Sequence, residues 1–176
     1  HGFPSFMYFT LRQMEEMEVR LQLHPDSLVM FGGGWKGYAD QAIPKAELYA
    51  MIHDRLGIAP DRIRDAYGSV EHSVPYIECS RHHLHVPVWS RLFIRDVRTL
   101  QVLGYGRPGF MNFVTPYITS VPAISVMMGD IGMLHPAEEC SCGAQTPLFE
   151  VIGRAGTSRN KSCAVSASEL LKKQGV

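Results

Sequence analysis

The sequence predicts an α/β fold: a mixed sheet with flanking helices, parallel at first and antiparallel after Pro75. Three observations predict it. The first 67 residues run through a short apolar stretch, an amphipathic stretch and a second apolar stretch, which is the order of a parallel strand–helix–strand unit. Beyond Pro75 the apolar runs become short and follow one another with turns between them, as antiparallel strands do. A chain of 176 residues is long enough for one sizeable core, so 1–176 is expected to form a single domain.

Taken in order, Met7, Leu11, Met14, Met17 and Leu21 recur at helical spacing and predict a helix over 7–23, with Thr10 and Gln13 as its capping box. His24 and Pro25 break it. Residues 28–31 then read as a short buried strand that ends in a glycine-rich turn, 32–37. Pro44 suits the first position of a second helix, whose apolar face is Leu48, Met51, Ile52 and Leu56, and Gly57 stops it. Residues 63–67 form the next strand, and ligand is expected at the carboxyl ends of such strands. Further strands are expected at 76–79, 84–88, 92–97, 109–114, 123–128 and 149–152, with a turn at 104–108. Ser166 and Glu169 would cap a short terminal helix ending near Gly175.

Lysine plus arginine and aspartate plus glutamate stand at 17 each. A chain with no net charge lacks the basic stripe that nucleic acid requires, so no nucleic-acid partner is expected. No apolar run approaches the ~18 residues of a membrane-spanning helix, so no membrane association is expected. The first residues lack the charged and apolar regions of a signal peptide, and His1 in place of methionine points to a piece of a larger protein. Four cysteines beside eight histidines suggest metal and thiol chemistry rather than a disulfide framework, which favours a cytoplasmic location.

Three motifs point to a nucleotide. Tyr67, Gly68, Ser69, Val70 and Glu71 run consecutively, Gly129 precedes Asp130, and Gly153 precedes Arg154. Gly68 lets backbone approach a nucleotide closely, with Ser69 in the same turn. Glu71 can hold the Mg2+ that bridges phosphate oxygens. Asp130 can accept hydrogen bonds from both ribose hydroxyls, and Arg154 can offset phosphate charge. The glycine run 32–34 lacks the Walker pattern, but ahead of Tyr67 it fits a backbone surface, Gly33 and Gly34, lining an adenine on which Tyr67 stacks. Each residue also has an ordinary alternative: a core aromatic for Tyr67, a solvated acid for Glu71, a surface ion pair for Arg154. The order of all three motifs favours the site.

A second constellation is Cys79, His82, His83 and His85 with Cys140, Cys142 and Gly143. Zinc takes Cys and His ligands in a tetrahedron, and two close pairs far apart in sequence are the usual supply. Buried free thiols are the alternative. Of the three histidines, His83 and His85 would share a strand face and His82 would point away; His85 is preferred, giving a structural Zn2+ on Cys79, His85, Cys140 and Cys142. Cys163 stands apart. Lys161, two residues before it, would favour a reactive thiolate; a small packing residue is the other reading.

These residues resemble the bacterial acyl-protein synthetases, or long-chain-fatty-acid–luciferin-component ligases, which are relatives of phenylacetate–CoA ligases and other adenylate-forming enzymes. The resemblance runs through 23–28, 32–37, 67–72, 82–87, 140–143, 153–154 and 161–163. It implies that the chain is the second half of an adenylate-forming domain. It also implies ATP-dependent conversion of a fatty acid to acyl-AMP and pyrophosphate, transfer of the acyl group to Cys163, and delivery to a reductase subunit. Three features depart from the pattern: the family's Ser/Thr/Gly-rich phosphate loop is missing from the sequence, position 70 is Val where many relatives carry Thr or Ser, and the mobile carboxyl-terminal domain of larger adenylating enzymes is absent or cut to a stub. The chain alone is therefore expected to be inactive. The competing readings are a fragment of an acyl- or aryl-CoA ligase and a zinc-stabilised interaction module without catalysis.

Overall fold

Pro4 fixes where the first helix starts, because its ring presets a helical φ and its missing N–H is one a helix start leaves unused. In the computed structural model, which describes residues 1–155, helix α1 runs Pro4–Glu16. The expected capping box does not form. Thr10 lies inside the helix, where its hydroxyl donates to Phe6 O at 2.8 Å. The helix also ends well short of residue 23: Glu18 turns left-handed (φ 56°), and the Val19 N–H reaches back to Met14 O at 2.8 Å. The stretch beyond serves helix α2, Lys45–Leu56. Leu21 and Leu23 donate their N–H groups to Arg55 O and Leu56 O at 2.8 and 3.0 Å, carbonyls that a helix end leaves without partners. Helical periodicity in 17–23 thus yields to a tertiary need.

Pro44 sits one residue ahead of α2, at its N-cap. Gly57 ends the helix with φ 70°, and a side chain there would strike Gln22. Leu11, Phe31, Leu48, Ile52 and Ile63 form the core of this first unit, His1–Ile63. Strand β1 (Val29–Met30) pairs with β2 (Ile63–Arg64), and a parallel bridge joins Gly2 to Phe31.

The second unit begins at Arg64. Strands β3 (Ala66–Tyr67) and β4 (Tyr76–Ile77) pair antiparallel. The main sheet holds β5 (Leu84–His85), β6 (Arg91–Arg95), β7 (Val102–Leu103), β8 (Gly109–Val114), β9 (Ser125–His135) and β10 (Leu148–Arg154). Their order is β5-β10-β9-β8-β6-β7, with every neighbouring pair antiparallel. The α/β class and the antiparallel pattern after Pro75 stand as expected. The strands divide among three sheets, however, because 63–67 breaks at Asp65, whose N–H donates to the buried Glu78 carboxylate at 2.9 Å. β9 continues past residue 128 through Gly129 and Gly132, and the short β7 lies just ahead of the expected 104–108 turn, in residues where no strand was expected. Tyr76, Met111, Phe113 and Phe149 centre the second core. The expected helix after Ser166 lies outside the described residues, among which no helix is long and apolar enough to cross a membrane.

Candidate nucleotide and metal sites

A β-bulge builds the first site. Pairing of β9 with β10 runs Val151 to Gly132, then shifts so that Gly153 faces Ile131 and Arg154 faces Asp130. Ile152 is the extra residue. Were Ile152 paired in regular register, Arg154 would sit opposite Gly129, and its side chain would leave the sheet on the face away from Asp130. With it, Arg154 Nε lies 3.5 Å from Asp130 Oδ1 and Nη2 lies 3.9 Å from Glu71 Oε1. Tyr67 approaches from the end of β3, and its hydroxyl donates to Asp130 Oδ2 at 2.8 Å. Burial, then the bond to Asp130, holds the Tyr67 phenol well above its ordinary range, so the hydroxyl keeps its proton and donates. Four residues singled out from the sequence therefore converge, two of them 63 positions apart.

Their surroundings differ. The Asp130 side chain is 17% exposed, whereas Glu71 and Arg154 are each half exposed. The Tyr67 ring packs against Phe113 and Phe149, with centroids 6.0 and 6.1 Å away. Ser69 turns its hydroxyl inward, where Oγ accepts the His72 N–H at 3.1 Å. Gly68 is exposed, and a Cβ there would meet no atom closer than Pro75 Cα at 3.9 Å. Gly33 (φ 78°) and Gly34 (φ 65°) form a left-handed turn in the first unit, a backbone shape that favours glycine. The Glu71 carboxylate offers hard oxygen donors open to solvent, which suits an ion that keeps several of its own waters.

The second site gathers Cys79, His85, Cys140 and Cys142, whose donor atoms all lie within 4.8 Å of one another. Cys79 Sγ and Cys140 Sγ are 3.7 Å apart, and Cys142 Sγ is 3.4 Å from His85 Nε2. His85 Nδ1–H donates to Thr146 O at 2.9 Å, which fixes the tautomer and leaves the Nε2 lone pair facing the sulfurs. The amides of Arg81 and Ala144 donate to Cys79 Sγ and Cys142 Sγ at 3.3 and 3.4 Å. Burial pushes the Cys140 thiol up, while the Ala144 amide holds Cys142 below its ordinary value. This donor set could hold a metal ion. His82 lies in the preceding turn with φ 61° rather than in a strand, and neither it nor His83 joins the cluster. Cys163 lies outside the described residues.

Sequence patterns did not reveal His72, Tyr76 and Ser90, which form a buried polar chain beneath the Glu71 turn. The one available signal was a histidine directly after Glu71. Nor was the cavity of about 600 Å³ between Leu92, Ile94, Leu103, Leu134 and Pro147 anticipated; Ser90 is also on its wall.

Solved proteins similar to this chain in fold include adenylate-forming ligases. An open conformation of 2-hydroxyisobutyryl-CoA ligase in complex with 2-HIB-AMP and CoA is 20% identical, with a TM-score of 0.62 over 90% of this chain and 37% of that one. A long-chain-fatty-acid-CoA ligase from Archaeoglobus fulgidus is 15% identical, with a TM-score of 0.59 over 99% of this chain and 36% of that one. The fold is thus that of the adenylate-forming ligases. Within that class, the sequence pattern of the acyl-protein synthetases, LuxE, matches residues 1–172, and the chain belongs to that family. Long-chain-fatty-acid–luciferin-component ligases from Vibrio harveyi and Aliivibrio fischeri are 28% and 25% identical over 96% and 98% of this chain. The chain spans 44% and 45% of their lengths, less than half of each.

Proposed function

We propose that this chain is the carboxyl-terminal part of an acyl-protein synthetase that activates a fatty acid with ATP. In the first step the carboxylate oxygen attacks the α-phosphorus, forming acyl-AMP and releasing pyrophosphate. In the second a thiolate, that of Cys163, attacks the acyl carbonyl and AMP leaves. The thioester then supplies a reductase subunit. One observation carries this reading: Tyr67, Glu71, Asp130 and Arg154 meet in one cluster, in the order the family's nucleotide motifs require.

Within that cluster Asp130 would take the ribose hydroxyls, with Tyr67 orienting its carboxylate. Glu71 would face the magnesium that accompanies ATP. Arg154 now bridges the two carboxylates, and a bound phosphate would offer it a stronger, bidentate partner. The second site supports a structural zinc. Tetrahedral bonds of about 2.3 Å to sulfur place neighbouring sulfurs about 3.8 Å apart, close to the separation of Cys79 and Cys140. The oxygen-donor and thiolate sites thus divide the metals between catalysis and folding.

The test is Glu71→Gln in the complete protein. It should abolish fatty-acid-dependent exchange of pyrophosphate into ATP and leave the melting temperature unchanged. Wild-type exchange in this variant would remove Glu71 from the mechanism and with it the reading of the cluster.

A further inference from the structure

His72 follows Glu71 directly, yet only 1% of it reaches solvent. Its ring stacks on Phe113, with centroids 4.8 Å apart and planes 11° apart, and on Tyr76 at 5.7 Å and 17°. A chain of hydrogen bonds fixes its tautomer. Ser90 has one hydroxyl proton and donates it to Val114 O at 3.2 Å. Its oxygen is then the acceptor for the Tyr76 hydroxyl at 3.3 Å. Tyr76 Oη in turn accepts from His72 Nε2–H at 2.8 Å. The lone pair therefore sits on Nδ1, which is buried and has no hydrogen-bond partner among the described residues. A phenylalanine would fill this space without that cost, so space filling alone does not account for histidine here.

The ring helps to hold down an irregular turn. Residues 68–75 have no regular secondary structure, and Glu71 itself is half exposed. The turn is anchored by the rings around His72, by the buried Val74, and by the His72 amide donating to Ser69 Oγ. Phe113, which stacks on His72, also packs on Tyr67, whose hydroxyl holds Asp130. Through Phe113, His72 thus links the turn that carries Glu71 to the Tyr67–Asp130 pair. We propose that His72 is a positioning residue, and that the Ser90–Tyr76–His72 chain fixes the turn so that Glu71 meets the magnesium of a bound Mg–ATP. This rests on the nucleotide reading above.

The test uses the complete protein and two variants that keep an aromatic ring, His72→Phe and Tyr76→Phe. Binding of Mn2+ in the presence of ATP is followed by electron paramagnetic resonance, beside calorimetric melting and 15N spectra of labelled histidine. Loss of a residue that orients a metal ligand weakens metal binding by roughly 10-fold to 100-fold, so each variant should raise the half-saturating Mn2+ concentration by about tenfold. The double variant should be no worse than His72→Phe alone, because both act through one chain. Wild-type His72 should show the Nε2–H tautomer. Unchanged Mn2+ binding in both variants, additive effects, or an Nδ1–H tautomer would overturn the proposal. The two levels separate cleanly. If Glu71→Gln leaves Mn2+ binding intact, the nucleotide reading itself fails. If Glu71→Gln abolishes binding while the His72 and Tyr76 variants bind normally, only the positioning role fails.

Discussion

Removing the metal from Cys79, His85, Cys140 and Cys142 should lower the melting temperature by about 20 °C. The magnitude follows from the chain length that the metal closes. Cys79 and Cys140 are 61 positions apart, and a cross-link across a loop of that size removes unfolded-chain entropy equivalent to about 4 kcal/mol. A unit of about 90 residues unfolds with an entropy near 2.1 cal/mol/K per residue, so about 4 kcal/mol corresponds to about 20 °C. The amides on Cys79 and Cys142 and the carbonyl on His85 preorganise three of the four donors, so little of the binding energy goes into ordering them. The assay is calorimetric melting of freshly purified protein before and after a strong zinc chelator, with zinc content measured by mass spectrometry. Cys142→Ser should reproduce most of the loss and become insensitive to the chelator. Protein purified without zinc, or a chelator-induced shift within about 2 °C, under half a kcal/mol by the same arithmetic, would refute the metal and leave four packed thiol and imidazole groups.

Three further outcomes are expected, the first two from the geometry and the third from the proposed function. Tyr67→Phe removes a hydrogen bond to the Asp130 carboxylate and should cost about 1.5–3 kcal/mol by urea titration. Because the folded protein keeps the Tyr67 proton above its ordinary value near 10 while the unfolded chain loses it, the native state binds more protons at high pH, and stability should fall as pH rises past about 10. Tyr67→Phe should flatten that alkaline slope in melting experiments. Gly132→Ala would bring a Cβ within 2.7 Å of the Glu150 carbonyl on β10 and should cost about 1–3 kcal/mol in the same titration. Cys163→Ser in the complete protein should keep pyrophosphate exchange but lose the hydroxylamine-labile acyl label on gels; labelling at the wild-type level would move the acceptor elsewhere and favour a CoA-ligase reading.

How much of this was legible before folding depends on whether the cause is local. Gly57 as a helix stop and 109–114 as a strand could be read directly, because left-handed backbone and an apolar run are properties of a few consecutive residues. The residue types of both candidate sites were legible for the same reason: carboxylates beside glycines, and cysteines beside histidines, announce their chemistry wherever they fold. The early end of α1 was not. Met17 and Leu21 keep the helical period, but the carbonyls at the end of α2 needed the N–H groups of Leu21 and Leu23, a demand set by another helix.

The sequence by itself determined the α/β class, the antiparallel run after Pro75 and the membership of the motifs, since these rest on local propensity, burial pattern and side-chain chemistry. Only the tertiary structure decided that Ile152 bulges out of β10, and so that Arg154 faces Asp130 rather than Gly129. It also decided that His72, Tyr76 and Ser90 share one proton-ordered chain under Glu71, and that the donors of four separated residues close to within 4.8 Å. The physical reason is the same in each case. Strand register, buried polar pairing and ligand convergence are fixed by hydrogen bonds and packing between segments distant in the chain, and no window of neighbouring residues contains both partners.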